Sequence, residues 1–322
     1  MLRILYICKD FTNWISLGHL AFKKALAEVA DVTFHHESCH VPTLLEKLAD
    51  EGKSFDLLML GEAPPVTPPL GGLAEVTLPK VVHYWDVHSF QHERLLFVKE
   101  NKIDFVIVKY KEGTLKVFPR LLDVAPCDWL PIGVDTKVFR KWSREKSIDI
   151  LLTGAIHKDV YPFRAAYLET FKSYPNFMHV PHPGYGHFSS KTAIVHDSYA
   201  KLLNSAKVCP TCGSIYNYPV QKFFEIPASF TLLVAPPFRD LDELGYVPGK
   251  HYLPVSMSSF EEEILSILKD EDRIEEITKQ GYSLVRKFHS VEVRAKQFVN
   301  LMCRSVLGIE EEFKGLHRFS LK

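Results

Sequence analysis

Five short stretches of the chain carry side chains that could do chemistry, and spacing decides which of them can. His36-Glu37-Ser38-Cys39-His40 spells H-E-x-x-H, which binds zinc when both histidines share a helix face with the glutamate between them as base. Here the segment follows an apolar strand and Pro42 stands two residues beyond His40, so it reads as a polar loop between a strand and a helix. Cys209-Pro210-Thr211-Cys212 is a single CxxC. A zinc ribbon needs a second pair and a thioredoxin-type centre needs a helix start, whereas these thiols stand at a strand end and read as buried small hydrophobes. Asp240-Leu241-Asp242 has the D-x-D form of a metal and diphosphate ligand, but between Arg239 and Glu243 it reads as a solvated turn. His92, four residues after His88, reads as an exposed position at a helix start. The fifth stretch keeps its chemistry. His83-Tyr84-Trp85-Asp86-Val87-His88 follows a buried strand, so Asp86 and His88 emerge at a carboxyl end, where α/β proteins build their sites. Trp85 adds a stacking surface. If strand alternation continues, Asp86 and His88 share a side while Val87 packs behind. The pair could then orient or deprotonate a hydroxyl, with Asp86 fixing the His88 tautomer. The competing expectation is that Trp85 and Asp86 cap the following helix.

The elements that must position these residues alternate in type along the chain. Continuous apolar runs over 2–8, 32–35, 55–60, 81–84 and 105–109 suit strands of a parallel sheet covered on both faces, with helices over 19–30 and 43–50. The pattern restarts with strands over 149–153, 177–180, 207–210 and 231–235. Helices are expected over 162–173, 197–206, 221–229, 260–269, 273–279 and 291–303. Alternation of this kind means βαβ units and doubly wound sheets. The polar stretch 136–147 lacks periodicity and reads as a linker, and the proline-rich 63–69 as a loop. The expected division is 1–140 and 141–322, with the last helices crossing back to the first domain. Ligands should lie at the carboxyl ends of the strands, in the cleft.

Composition narrows the class further. The 322 residues are 46% hydrophobic and 24% charged, which excludes disordered, collagenous and coiled-coil chains. Thirty-nine Lys and Arg balance 39 Asp and Glu, so no overall basic field gathers nucleic acid or an anionic membrane. A nucleic-acid partner would need a local patch. No apolar run approaches the roughly 20 residues of a bilayer span, and the N-terminus lacks a signal-peptide layout. Six scattered cysteines read as reduced thiols, so the expected location is the cytoplasm.

From residue 129 onward the chain resembles a known class. Trp129-Leu130-Pro131-Ile132-Gly133-Val134-Asp135, followed by Phe139, is similar to the LPxGVDxxxF segment that closes the first domain of GT-B glycosyltransferases. Asp149-Ile150-Leu151-Leu152-Thr153-Gly154 then opens a second Rossmann unit, as in that class. Gln221-Lys222-Phe223-Phe224-Glu225-Ile226-Pro227-Ala228-Ser229 resembles the R/K-x-FEIxAxG helix of the CgeB-like (spore-maturation) branch of the retaining enzymes. Residues 242–253 resemble the family's ELGxxxGxxYxP loop. These pieces cover most of 129–300 in family order, and the N-terminal half matches in outline.

The resemblance implies an α/β GT-B architecture of two Rossmann-like, doubly wound domains facing across a cleft. The second would bind a nucleotide-diphosphate sugar and the first a hydroxyl acceptor, whether glycan, protein or small molecule. It implies transfer with retention and no cofactor. Leaving-group charge would be carried by Lys222, Arg164 and helix amides in place of a metal. By position, Glu225 matches the glutamate that accepts the donor ribose hydroxyls, and Lys222 stands where the branch usually has Arg. Asn217, with Tyr218 beside it, falls where related enzymes carry a further glutamate, and Ser229-Phe230 replaces the usual glycine. Arg164, shortly after Gly154, takes the other phosphate-facing position. The loop Pro181-His182-Pro183-Gly184-Tyr185-Gly186 would face the base, and Gly18 would let backbone approach the diphosphate or acceptor closely. Two alternatives fit the same frame: a nucleotide-sugar epimerase, and a non-catalytic sugar- or nucleotide-binding protein.

Overall fold

A computed structural model describes residues 1–63, 67–143 and 145–321. The loop expected over 63–69 and the linker expected over 136–147 fall partly outside the described residues. The chain forms two units, the first from Met1–Phe11, Phe22–Pro131 and Arg294–Lys322, the second from Thr12–Ala21 and Ile132–Val293.

In chain order the N-terminal elements are β1 (Arg3–Ile7), α1 (Gly18–Ala27), β2 (Asp31–His35), β3 (Cys39–His40), α2 (Val41–Asp50), β4 (Leu57–Leu60), β5 (Leu70–Gly71), β6 (Lys80–Tyr84), α3 (Gln91–Glu100), β7 (Phe105–Val108), α4 (Lys111–Val117) and β8 (Cys127–Trp129). The first unit's main sheet has the order β2-β1-β4-β6-β7-β8, every pairing parallel. Its central strands are mostly apolar because both faces are covered: Ile4, Leu5 and Ile7, all of Leu57 to Leu60, and Val106 to Val108 are fully buried. The order reverses direction between β1 and β4, and such a reversal opens a crevice at the strands' carboxyl ends.

The second unit continues with β9 (Ile148–Thr153), α5 (Pro162–Phe171), β10 (Phe177–Val180), α6 (His196–Asn204), β11 (Ala206–Pro210), α7 (Lys222–Ala228), β12 (Leu232–Ala235), α8 (Arg239–Glu243), β13 (Leu253–Pro254), α9 (Phe260–Ile267) and α10 (Glu271–Phe288), and α11 (Val291–Met302) follows. The order β10-β9-β11-β12-β13 is again parallel and reverses between β9 and β11. Ile150, Leu152, Val208, Leu232 and Val234 meet Tyr167, Phe171, Phe260, Ile264 and Ile277 in one core.

Several sequence expectations are corrected. Residues 86–88 do not continue a strand: β6 stops at Tyr84, and Ser89 N–H donates to Asp86 O at 3.0 Å in a turn. Asp86 is not a helix cap either, since α3 begins after Phe90. Residues 240–242 are not a solvated turn but part of α8, with Asp240 0% exposed. The helix expected over 273–279 runs from 271 to 288, because the Asp270 carboxylate accepts from Arg273 N–H and Ile274, Ile277, Gly281 and Val285 give it a buried stripe. The H-E-x-x-H segment is not helical, and Cys39 and His40 form the short strand β3 against β5. No helix among the described residues is long and apolar enough to cross a membrane.

Candidate functional site

The turn after β9 collects the second unit's charged side chains. Gly154 follows β9 at φ +95°, a conformation that L side chains avoid. A Cβ there would stand 3.0 Å from Lys222 Cε, 3.3 Å from Lys222 Nζ and 3.6 Å from Arg164 Nη1. Two cations therefore converge on one glycine at the point where strand order reverses. Topology is the cause: α5 leaves β9 and carries Arg164, while the loop leaving β11 leads into α7, whose first residue is Lys222.

Arg164 is only 4% exposed and is held on three sides. Its Nη1 donates to Ala155 O at 3.3 Å, its Nη2 to Cys212 O at 3.2 Å, and its guanidinium lies 4.0 Å from the Tyr161 ring centre. Its buried Nε has no partner among the described residues. Lys222 Nζ donates to Tyr199 Oη at 3.1 Å, and that hydroxyl is paired with Thr153 Oγ1 at 3.2 Å. Burial, reinforced by the like charge of Arg164, brings Lys222 down to about 8. The side chain keeps part of its surface in solvent and stays mostly charged at neutral pH.

Glu225 is three residues on, along the same helix face. Burial pushes its carboxyl up to about 7, against the pull of Lys222. Neither cation is within ion-pair distance of a carboxylate among the described residues. A net positive, partly desolvated cluster with one acceptor carboxylate is a place for an anion that also carries hydroxyls.

His182 joins this group, since burial and the charges of Lys222 and Arg164 all lower its pKa. Gly184 N–H donates to His182 Nδ1 at 3.0 Å, which leaves the neutral ring's proton on Nε2. Its ring lies 4.9 Å from that of Tyr185, itself 81% exposed, so the loop presents an aromatic surface. Gly184 has φ +97° and open space around it. Asn217 takes a left-handed turn at φ +55° in the loop before α7, and Tyr218 is buried in that loop against Tyr216. Gly18 is required by a close approach, but its neighbour is a side chain: a Cβ would come 2.5 Å from Gln221 Nε2, next to Lys222. Ser16 Oγ donates to Gln221 Oε1 at 2.7 Å and accepts from Gly18 N–H at 3.3 Å. Tyr199, Thr153 and Gln221 were not singled out by sequence. Cys209 and Cys212 are buried free thiols, as expected from their strand-end position.

In the first unit, Asp86 and His88 occupy the loop beyond β6. Arg94 organises it, pairing with Glu62, donating from Nη1 to Asp86 O at 2.8 Å and lying 4.7 Å from the Tyr84 ring centre. Glu62 also accepts from Trp85 N–H at 3.3 Å. Desolvation by the surrounding protein raises the Asp86 carboxyl, while His88 and Arg94 pull it back. Burial lowers His88 despite the pull of Asp86, which favours a neutral imidazole able to accept a proton. Val87, between them in sequence, is buried. Among the described residues no group of three or more His, Cys, Asp and Glu is placed to hold a metal ion.

Comparison with known proteins gives this geometry a context. A search of curated proteins matches none. Among solved structures, sucrose-phosphate synthase from Thermosynechococcus elongatus superposes with a TM-score of 0.63 at 13% identity, over 96% of this chain and 100% of that one. A glycosyltransferase from Rickettsia africae gives 0.59 at 10% identity, over 95% and 98%. Anabaena HepE in complex with UDP-glucose gives 0.57 at 11% identity, over 92% and 98%. At these identities the likeness shows the fold, which is the α/β GT-B architecture with Rossmann-like units. The glycosyl transferase-like family model matches residues 137–300. That span is just over half of the 322 residues and contains the whole Gly154, Arg164, Lys222 and Glu225 group, so the chain belongs to the glycosyl transferase-like family.

Proposed function

We propose that the protein transfers a sugar from a nucleotide-diphosphate sugar to a hydroxyl acceptor, with the donor held by the second unit and the acceptor by the first. The observation that carries this reading is the convergence of Lys222 and Arg164 on Gly154, two cations against the single carboxylate of Glu225, which among the described residues pairs directly with neither. The diphosphate takes their charge, Glu225 accepts the ribose hydroxyls, and the loop of His182 and Gly184 borders the base. Asn217 and Tyr218 line the sugar side, and Gly18 shapes the approach beside Gln221. The UDP-glucose bound by HepE makes UDP-sugars the first donors to try.

In the reaction the bond from the anomeric carbon to the diphosphate oxygen breaks, and the acceptor oxygen bonds that carbon. The acceptor proton passes to the departing phosphate oxygen, which accords with retention, while Asp86 and His88 position the hydroxyl. Lys222 and Arg164 are poised to stabilise the departing negative charge, so the reaction proceeds without a metal. The likeness of residues 221–229 to the R/K-x-FEIxAxG helix supports a reading in the CgeB-like branch, and six free cysteines suit a cytoplasmic location.

The test is to incubate the protein with labelled UDP-sugars and a panel of hydroxyl acceptors in EDTA. Acceptor-dependent release of UDP with label on the acceptor supports the reading. An isomerised nucleotide sugar formed without acceptor would point to the epimerase, and a donor bound but unchanged would point to a binding protein.

A further inference from the structure

The first unit holds a cation that the proposed reaction has not used. Lys109 follows β7 directly, at the carboxyl edge of the sheet, and its parallel neighbour beyond the end of β6 is Trp85. It is 3% exposed. Its ammonium lies 5.2 Å from the centre of the Trp85 ring and 5.6 Å from that of Phe22, and both rings are only half-buried. Among the described residues no carboxylate pairs with it. The one charged group whose field bears on it is Arg294, of the same sign, so burial and repulsion together lower its pKa. Its main chain is fixed, since Trp129 Nε1 donates to Lys109 O at 2.9 Å.

Burying an ammonium with no opposite charge beside it is costly, and two aromatic faces recover only part of that cost. An anionic group would supply the missing counter-charge, and a half-exposed indole is a natural platform for a pyranose face. We infer that Lys109, with Trp85 and Phe22, forms a binding site for a sugar acceptor bearing a carboxylate or phosphate. This rests on the transferase reading and adds the acceptor's chemical class to it.

The test titrates wild-type protein, saturated with UDP so that phosphate-bearing probes do not enter the donor site, with glucuronate, glucose 6-phosphate and glucose. At least one acidic sugar should bind ten-fold or more tighter than glucose, and which one does identifies carboxylate or phosphate as the group held. Lys109→Met should abolish the preference while leaving UDP affinity unchanged. Equal affinity for glucose, no acidic-sugar binding at millimolar concentration, or a preference that survives Lys109→Met would overturn the inference. If Lys109→Met does not fold, Lys109→Gln takes its place, and a wild type without the preference overturns the inference by itself. Absence of UDP binding would strike the donor reading instead. The acidic-sugar titration then still stands alone, and Lys109→Met, not Lys222→Met, must remove the preference.

Discussion

Glu225 should make the protein less stable in exchange for nucleotide binding, and the two effects can be measured on one variant. Its carboxyl is moved from an ordinary 4.5 up to about 7 by burial. The folded chain therefore holds the Glu225 proton more tightly than the unfolded chain does. The cost of the ionised form is absent below pH 4.5, grows between 4.5 and about 7, and is complete above that. At ~1.36 kcal/mol per pH unit the interval corresponds to about 3 kcal/mol. Glu225→Gln removes that cost but also removes the carboxylate that favours the Lys222 charge, so the net gain at pH 8 should be about 1–3 kcal/mol. Urea denaturation between pH 4 and 8 reads it directly, as a difference that opens with rising pH. Calorimetric titration should show UDP binding weakened ~10-fold or more, because hydrogen bonds to a charged acceptor contribute about 1.5–3 kcal/mol. The loss should shrink for 2′,3′-dideoxy-UDP, which lacks the hydroxyls that Glu225 accepts. A variant no more stable than wild type at pH 8, or one that binds UDP equally well, would refute the assignment.

Lys222 gives a pH dependence of its own. With a value of about 8 its charged fraction falls from ~90% at pH 7 to ~10% at pH 9, so UDP affinity should drop about ten-fold over that range in a binding titration, and a flat profile would contradict its role. Gly154→Ala should destabilise by about 1–3 kcal/mol for its left-handed backbone and displace the Lys222 side chain. Unchanged melting and unchanged UDP binding would show that the turn tolerates a side chain. Asp86→Asn and His88→Ala should lower kcat and leave UDP affinity alone, with a loss of about 10²–10⁴-fold if either acts as a general base and less if it only positions the acceptor. Transfer at wild-type rates in both would move the acceptor chemistry elsewhere.

Much of the fold was legible because parallel strands covered on both faces are written as continuous apolar runs. The strand expected over 177–180 is Phe177–Val180, and the others differ from expectation at their ends only. Helices were harder where a charged side chain takes a core position. α3 buries Arg94 between Glu62 and Tyr84, and α8 buries Asp240, so neither shows an apolar stripe in sequence. The donor-side residues came from strand ends and from the family-like helix around Glu225. The Thr153, Tyr199 and Lys222 chain could not be read the same way, since its hydroxyls meet through the approach of α6 to β9 and α7, which no local spacing encodes. Lys109 looked like the last residue of an apolar strand. Its burial becomes visible only once Trp85 and Phe22 are placed around it.

The central claim is that the second unit holds a nucleoside diphosphate by its phosphates, through Lys222 and Arg164. Calorimetric titration of wild type and Lys222→Met with UDP and with uridine at pH 7 tests it most directly. The account predicts that wild type binds UDP at least ten-fold tighter than uridine, and that Lys222→Met removes most of this gap by weakening UDP ~10- to 150-fold while uridine changes little. No gap in wild type, or equal losses for both ligands in the variant, would contradict it.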